Sequence, residues 1–340
     1  MDPIDREHFE LKIANTVVIA PAMAFVLFLD HSDPAGILDF YNRSMDAIGG
    51  LLTHYTAENK AGRSPMTGKA REIVPTWMAK PRTDKTYSIQ FRGCDRAQGI
   101  SPAELELDLR LRAPSKITDE KRLAVWKSRY ESHGIRHALA PTVLRVALPI
   151  DHPLADGPKF ADWVLGFQLV RSWPFLSGFA GYALNFYAET SSDALRRPMQ
   201  NQLAVWSLRH AGFDWHQAST FATRLLRYQP DIVDILPLVK RANWLNLVAD
   251  KSLSYLGGRD IVRERLGQGL LPHNLEYGMA IQAGSAPAIG DVERGDFLPG
   301  YRRVAAALRA VRIEDMDSTS TGFSEEGMDD WLNAFDHDYE

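Results

Sequence analysis

The apolar residues of the chain are spaced in two ways, one typical of buried strands and one typical of amphipathic helices. Residues 17–29 are apolar almost throughout and end at Asp30, which predicts a buried strand. Asp33 and Pro34 follow as an N-cap and a first helical residue, so we expect a helix next. Its inward stripe recurs every three or four residues and comprises Ile37, Tyr41, Met45, Ile48, Leu52 and Tyr55.

Strict alternation of apolar and polar residues predicts two half-buried strands, and the short link between them favours an antiparallel pair. The apolar face of the first strand carries Tyr87, Ile89 and Phe91. The apolar face of the second strand carries Leu105, Leu107, Leu109 and Leu111. Its opposite face carries Glu104, Glu106, Asp108 and Arg110. We interpret these carboxylates as solvated charges paired with Arg110 and Arg112. If the strand is a sheet edge, they could equally block aggregation or meet a basic partner.

The rest of the chain continues this mixture of strands and helices. A helix is predicted between Thr118, as its cap, and Gly134, and another begins at residues 156–158. Strands are expected at residues 142–150, at 179–187 and around Leu275, Tyr277, Met279 and Ile281. Further helices are expected at residues 198–211, 215–228, 243–256 and 299–312, with a short helix ending at Leu266.

Paired strands with helices between them, without sustained alternation of the two, predict an α+β fold. We expect an antiparallel or mixed sheet, or sheets, flanked by helices. No linker composition divides the chain, which favours one domain over residues 1–312. Two related subdomains packed together, 10–150 and 151–312, stay open, because the order strand, helix, strands, helix occurs loosely in both. Residues 313–340 are expected to form an acidic, partly disordered tail.

Composition and charge narrow the class of protein. The chain has 340 residues, of which 45% are hydrophobic, as is usual for globular proteins. The single cysteine, Cys94, excludes an internal disulfide and fits a reducing cytoplasm. The acidic start does not look like a secretory signal, and no apolar run is long enough to span a bilayer, so we predict a soluble cytoplasmic protein. Residues 311–340 contain ten acidic residues and one arginine. The rest of the chain therefore has a formal net charge of about +5 and is mildly basic.

No standard catalytic or ligand-binding motif stands out. Residues 62–70 resemble a phosphate-binding loop, but Ala70 stands where Ser or Thr is needed. His133 and His137 are spaced like two metal ligands on a helix, but Gly134 separates them. Ser177 lacks the preceding glycine of a nucleophile elbow. We therefore predict no catalytic residue, no cofactor, no metal and no binding to nucleic acid or membrane.

The acidic tail is the most informative feature for function. It sets aromatic residues among carboxylates, a composition typical of a segment that docks onto a basic groove. The predicted partner-binding residues are Phe323, Glu325, Glu326, Asp329, Asp330, Trp331, Phe335 and Asp336, together with Glu104, Glu106 and Asp108. The alternative is a solubilising end without a partner.

Several motifs in the second half resemble a known family. They are Asn243-Trp244-Leu245, Leu256-Gly257-Gly258-Arg259, Ile281-Gln282-Ala283-Gly284 with Pro287 and Gly290-Asp291, and Leu298-Pro299 with Tyr301-Arg302. In these the chain resembles the type VI secretion immunity family of the TsiT kind. The likeness is specific over residues 243–302, extends in layout over residues 10–312 and leaves out the tail.

This resemblance implies a cytoplasmic protein that inhibits a toxin by tight association, without turnover. We expect the toxin to be a nuclease, and we expect this protein to block it sterically and electrostatically. Two other functions stay open. One is a hydrolase-like enzyme whose Asp, His and Arg side chains meet in an unfamiliar cleft, and the other is an adaptor that has no toxin.

Overall fold

The apolar run near the N-terminus forms the central strand of the sheet. In the computed structural model, β2 spans Thr16–Leu29, and its residues 17–29 are all buried. β7, Thr142–Pro149, and β8, Ser177–Phe186, pair with it antiparallel on its two sides. A strand covered on both faces is apolar at successive positions, which is why this run does not alternate. The structure describes residues 4–13, 16–30, 33–57, 63–82, 86–95, 99–110, 119–133, 141–186, 193–215, 222, 224–229, 231, 234–314 and 323–336.

β2 lies in the middle of a mixed sheet, which contains 12 strands among the described residues. The other strands of this sheet are β1 (Leu11–Ile13), β3 (His54–Ala57), β4 (Ser64–Pro65), β5 (Thr86–Asp95), β6 (Gly99–Arg110), β9 (Asp214–Trp215), β12 (Leu245–Ala249), β13 (Leu271–Leu275) and β14 (Gly278–Gln282). The order is β13-β14-β12-β8-β2-β7-β6-β5-β3-β4, with β1 on β2 and β9 on β8. A separate antiparallel hairpin consists of β10 (Leu226–Gln229) and β11 (Asp234–Pro237).

Helices lie between the strands and after the last of them. They are α1 (Pro34–Ile48), α2 (Gly68–Arg71), α3 (Ile73–Ala79), α4 (Asp119–His133), α5 (Gly157–Leu165), α6 (Gln168–Ser172), α7 (Asp193–Arg209), α8 (Asp250–Tyr255), α9 (Arg259–Leu266), α10 (Pro299–Leu308) and α11 (Glu325–Leu332). Short 3₁₀ turns occupy Glu7–Phe9, Val292–Arg294 and Arg309–Val311. None of the described helices combines the length and the hydropathy that crossing a membrane requires.

The predicted α+β class is confirmed, and so are the elements with clear local signals. The Asp33 carboxylate accepts hydrogen bonds from the backbone N–H groups of Ala35 (3.3 Å) and Gly36 (2.8 Å), and α1 begins there. β5 and β6 form the predicted antiparallel pair. α1 ends at Ile48, earlier than the stripe predicted, and Tyr55 lies on β3. Thr118 and Gly134, the predicted ends of α4, lie outside the described residues.

Three predictions for the second half are wrong. The helix expected at 215–228 is replaced at its two ends by strands β9 and β10. The helix expected at 243–256 starts as strand β12 and becomes helical only at Asp250. The single strand expected around Tyr277 is a hairpin of β13 and β14. β12 is buried at every position and its residues do not alternate between apolar and polar, so its sequence does not distinguish a strand from a helix.

The main hydrophobic core is continuous through the molecule. It includes Met23 on β2, Leu107 on β6, Trp244 just before β12 and Val304 on α10. Trp331 and Phe335 near the C-terminus belong to the same cluster. The sheet therefore contains strands from both of the predicted halves, and the core also includes side chains of the C-terminal segment.

Candidate partner-binding site

The C-terminal segment, residues 323–336, packs against the body of the protein. Its inward face carries Phe323, Met328, Trp331, Leu332 and Phe335, which are all buried. The expectation of a partly disordered tail is therefore wrong for these residues, and the aromatic side chains are not exposed to a partner. Residues 328, 331, 332 and 335 follow helical spacing, and such a stripe packs on the chain's own core as well as on another protein.

The aromatic side chains of this segment pack against two buried cations. The Lys240 ammonium lies 4.8 Å from the centroid of the Trp331 ring, and the Arg241 guanidinium carbon lies 4.5 Å from it. Arg241 also lies 4.9 Å from the centroid of Phe335. Cation–π contacts of desolvated groups are worth about 2 kcal/mol or more. The rings thus compensate part of the cost of burying two positive charges.

Burial lowers the pKa values of both cations. Lys240 forms an ion pair with the buried Asp214, and Arg241 Nη2 donates to the carbonyl of Ala211 at 2.7 Å. Burial lowers the pKa of Lys240 to about 8, although the Asp214 carboxylate opposes that change. Burial likewise lowers the pKa of Arg241 to about 10. Sequence reasoning missed both residues, although a charged pair inside the apolar run from Ile235 was a usable signal.

Asp336 holds the end of the C-terminal segment in place through ion pairs. Its carboxylate forms ion pairs with the buried Arg312 and, at 3.4 Å, with Arg309. Asp336 was predicted to bind a partner, and its described contacts are within the chain. The segment is therefore held at both its aromatic stripe and its end.

The outer face of α11 carries the acidic residues. Glu326, Asp329 and Asp330 are exposed, while the side chain of Glu325 lies outside the described part of the chain. Ser324 caps the helix, because its Oγ accepts a hydrogen bond from Gly327 N at 3.0 Å. The structure thus places three of the predicted carboxylates on the outer face of a helix whose opposite face packs on the core.

The carboxylates on β6 lie in a different environment from the predicted one. β6 is an interior strand between β5 and β7, not an edge. Glu104 is only 4% exposed and pairs with the fully buried Arg145 and, at 3.1 Å, with Arg92. The prediction of a solvated charge is wrong for Glu104, since the alternation does not tell whether the polar face meets water or a charge. Glu106 and Asp108 are half-buried.

A cavity of about 460 Å³ opens elsewhere, between the N-terminal turn and the loop before α10. At its wall Arg209 Nη2 donates to Asp291 at 2.8 Å, a hydrogen bond that holds the pKa of Asp291 below its usual range. His210 Nδ1 donates to the carbonyl of Gly290 at 2.6 Å, and burial lowers the pKa of His210. Among the described residues, no His, Cys, Asp and Glu side chains are grouped to hold a metal ion.

Comparison with known protein families shows to which family the chain belongs. A family model described as type VI immunity for VRR-NUC, named TsiV, matches residues 112–335, which is more than half of the chain. The protein belongs to the TsiV family. The predicted resemblance to a type VI secretion immunity family is thereby confirmed, under the name TsiV in place of TsiT. A search of curated proteins found no match.

A solved structure supports the fold. A Pseudomonas aeruginosa protein of the type VI secretion system, PA0821, superposes with a TM-score of 0.71 over 96% of this chain and 87% of its own. The two sequences are 18% identical, so this likeness concerns the fold alone.

The TsiV match also corrects the extent of the resemblance. It continues through residue 335, so the C-terminal segment that was expected to lie outside the family lies within it. The matched motifs have structural roles. Trp244 Nε1 donates to the carbonyl of Gly284 at 2.9 Å, and the Tyr301 hydroxyl is hydrogen-bonded to the backbone of Ala288. These contacts fix the loop that forms one wall of the 460 Å³ cavity.

Proposed function

We propose that this protein binds a type VI secretion toxin with a VRR-NUC nuclease domain and neutralises it by steric and electrostatic blockade. The description of the TsiV family names that class of target. The acidic outer face of α11, anchored to the core by Trp331 and Phe335, is the observation that supports the electrostatic part. The protein would act by occupying the toxin, without chemical change to it.

The chemistry of a nuclease explains why carboxylates suit this role. A nuclease binds a polyanionic backbone and therefore presents lysine and arginine at its active groove. Residues 326, 329 and 330 are three and four positions apart, so their carboxylates project from one side of α11. These negative charges would occupy the positions that phosphates take in the nuclease–DNA complex and would steer the encounter.

Rigidity strengthens such an interface. A segment that orders only on binding loses part of the interaction energy to that ordering, whereas a pre-formed helix does not. The buried stripe of α11 and the ion pairs of Asp336 hold the carboxylates in place before the toxin arrives. A partner-binding role for Glu325, whose side chain lies outside the described part of the chain, stays a prediction, as it does for Glu106 and Asp108.

Charge-neutral variants test the proposal. The full-length variant Glu326→Gln, Asp329→Asn, Asp330→Asn should bind the VRR-NUC domain with a lower association rate and weaker salt dependence, raising Kd about ten-fold or more at low salt. The matched control neutralises three exposed carboxylates on other helices, Glu131→Gln, Asp162→Asn and Glu264→Gln. Equal binding by the two triple variants would rule out the α11 face. Deleting residues 323–336 is no substitute, because the deletion removes part of the core.

We further propose that the protein acts in the cytoplasm, where a nuclease toxin meets DNA. Cell fractionation tests this directly, and protection against a VRR-NUC domain expressed inside the cell tests it functionally. Recovery of the protein from the periplasm, or failure to protect against cytoplasmic toxin, would contradict this location.

A further inference from the structure

A second cavity, of about 380 Å³, lies on a different part of the molecule from the 460 Å³ cavity. It opens where the end of β2, the start of α4, the β10–β11 hairpin and the start of α8 meet. Its apolar wall includes Leu123, Leu226 and Ile235. Binding sites are typically concave and mostly apolar, with a few polar groups that set the specificity.

The charged groups around this second cavity are mainly carboxylates. Asp30, Glu120 and Asp234 each come from a different element, and Lys251 is the one cation among the lining residues that the structure describes. Lys251 Nζ lies 2.6 Å from Asp234 Oδ1, so this ammonium is already engaged. Glu120 is exposed and forms no ion pair with a described residue. Among the described residues that line it, the cavity therefore combines apolar side chains with three carboxylates and one lysine, and Glu120 is the carboxylate that is exposed to solvent.

We infer that this cavity receives an arginine side chain of the toxin, an inference that rests on the proposed function. The methylene groups of an arginine pack on apolar walls while the head group stays at the polar rim. Its planar guanidinium pairs with carboxylates through two parallel hydrogen bonds and loses its hydration more readily than an ammonium. A nuclease that binds phosphates carries exposed arginines of this kind.

Lysine fits this site less well than arginine does. Its ammonium is strongly hydrated and makes no bidentate contact with a carboxylate, so it gains less from a half-apolar cavity. An acidic or neutral side chain would add no attraction to the carboxylates at the rim. Interface residues that dominate affinity are often arginines seated in such pockets.

Charge reversal at Glu120 tests the inference. Calorimetry would measure binding of a catalytically inactive VRR-NUC domain to the full-length protein and to Glu120→Lys, Glu120→Gln and Glu131→Lys. Glu131 lies on α4 as well, is exposed and is not among the residues that line the cavity, so it is the matched control. We expect Glu120→Lys to raise Kd about ten-fold or more and Glu120→Gln to raise it less, while Glu131→Lys stays within about two-fold.

Alanine variants of the arginines and lysines of the toxin then identify the occupant. One arginine variant should bind wild type weakly and should be insensitive to Glu120→Lys, which is the signature of coupled residues in a double-mutant cycle. If wild type binds but Glu120→Lys behaves like Glu131→Lys, the inference is wrong and the proposed function stands. If a lysine of the toxin couples instead, the choice of arginine is wrong. If wild type does not bind at all, the proposed function fails and the inference fails with it.

Discussion

The guanidinium carbon of Arg241 lies 4.5 Å from the ring centroid of Trp331, and both side chains are buried. This contact joins the loop before β12 to the C-terminal helix. A buried guanidinium needs compensation, which the Trp331 and Phe335 rings supply in part. The aromatic residues of the acidic segment therefore stabilise the fold, and only its outer carboxylates face solvent.

Removing the Trp331 ring should destabilise the whole domain. We expect Trp331→Ala to lower the free energy of unfolding by about 3–5 kcal/mol, because it leaves a cavity beside two buried cations. Trp331→Phe keeps an aromatic face and should cost less. Urea unfolding of the full chain measures both, and Val205→Ala, at a side chain 58% exposed on α7, is a control expected to stay within about 0.5 kcal/mol. An unchanged midpoint for Trp331→Ala would show that the segment is not part of the folded core.

Lys240 should make stability depend on pH in the alkaline range. Its pKa is about 8 in the folded protein, below the ordinary lysine value of 10.5, so between these pH values the unfolded chain binds more protons. The contribution of Lys240 to the free energy of unfolding therefore increases as the pH rises from about 8 to 10.5. The double variant Lys240→Met, Asp214→Asn removes the pair and should lack this rise when unfolding is compared at pH 7.5 and 9.5. Parallel pH profiles for wild type and variant would contradict the assignment.

Glu104 should contribute to stability and not to toxin binding. Glu104→Gln leaves the fully buried Arg145 without its counter-charge, which typically costs about 3–5 kcal/mol. Glu106→Gln, at a half-buried neighbour on the same strand, should cost much less. Urea unfolding measures the loss, and calorimetry should find the wild-type Kd for the folded fraction. Weaker toxin binding by a fully stable Glu104→Gln would reverse this interpretation.

Tyr301 should hold the loop of the 460 Å³ cavity. Its hydroxyl accepts from Ala288 N at 3.1 Å and donates to Ala288 O at 3.2 Å, both buried. Tyr301→Phe leaves these backbone groups unpaired and should cost about 1–3 kcal/mol. Hydrogen exchange at the Ala288 amide should accelerate. Tyr255→Phe, at a 43% exposed ring, is the control and should change neither quantity.

The fold could be predicted where local signals are strong. The Asp33 cap, the apolar run of β2 and the alternation in β5 and β6 depend on neighbouring residues alone, so the sequence identifies them. β12 is buried on both faces, and its apolar run does not distinguish a strand from a helix. The β13–β14 hairpin turns at Glu276 and Tyr277, which are not the usual turn residues, so it was predicted as one strand.

The candidate site could be predicted only in part. The carboxylates of the C-terminal segment were recognisable from composition, and three of them are exposed. Which way the aromatic stripe faces depends on Lys240 and Arg241, which lie far earlier in the chain, so the sequence could not reveal it. The burial of Glu104 likewise depends on Arg145 from the neighbouring strand. The charged cavity near Glu120 needs four separate elements to come together.

A stoichiometric titration of nuclease activity tests the central claim most directly. Purified full-length protein would be added to a fixed amount of VRR-NUC toxin well above the Kd, and the remaining cleavage of DNA would be measured after several incubation times. Inhibition by occupancy predicts a linear fall to an end point at a fixed molar ratio that does not change with time. Inhibition that grows with time at substoichiometric amounts, or no inhibition at any ratio, would contradict the account.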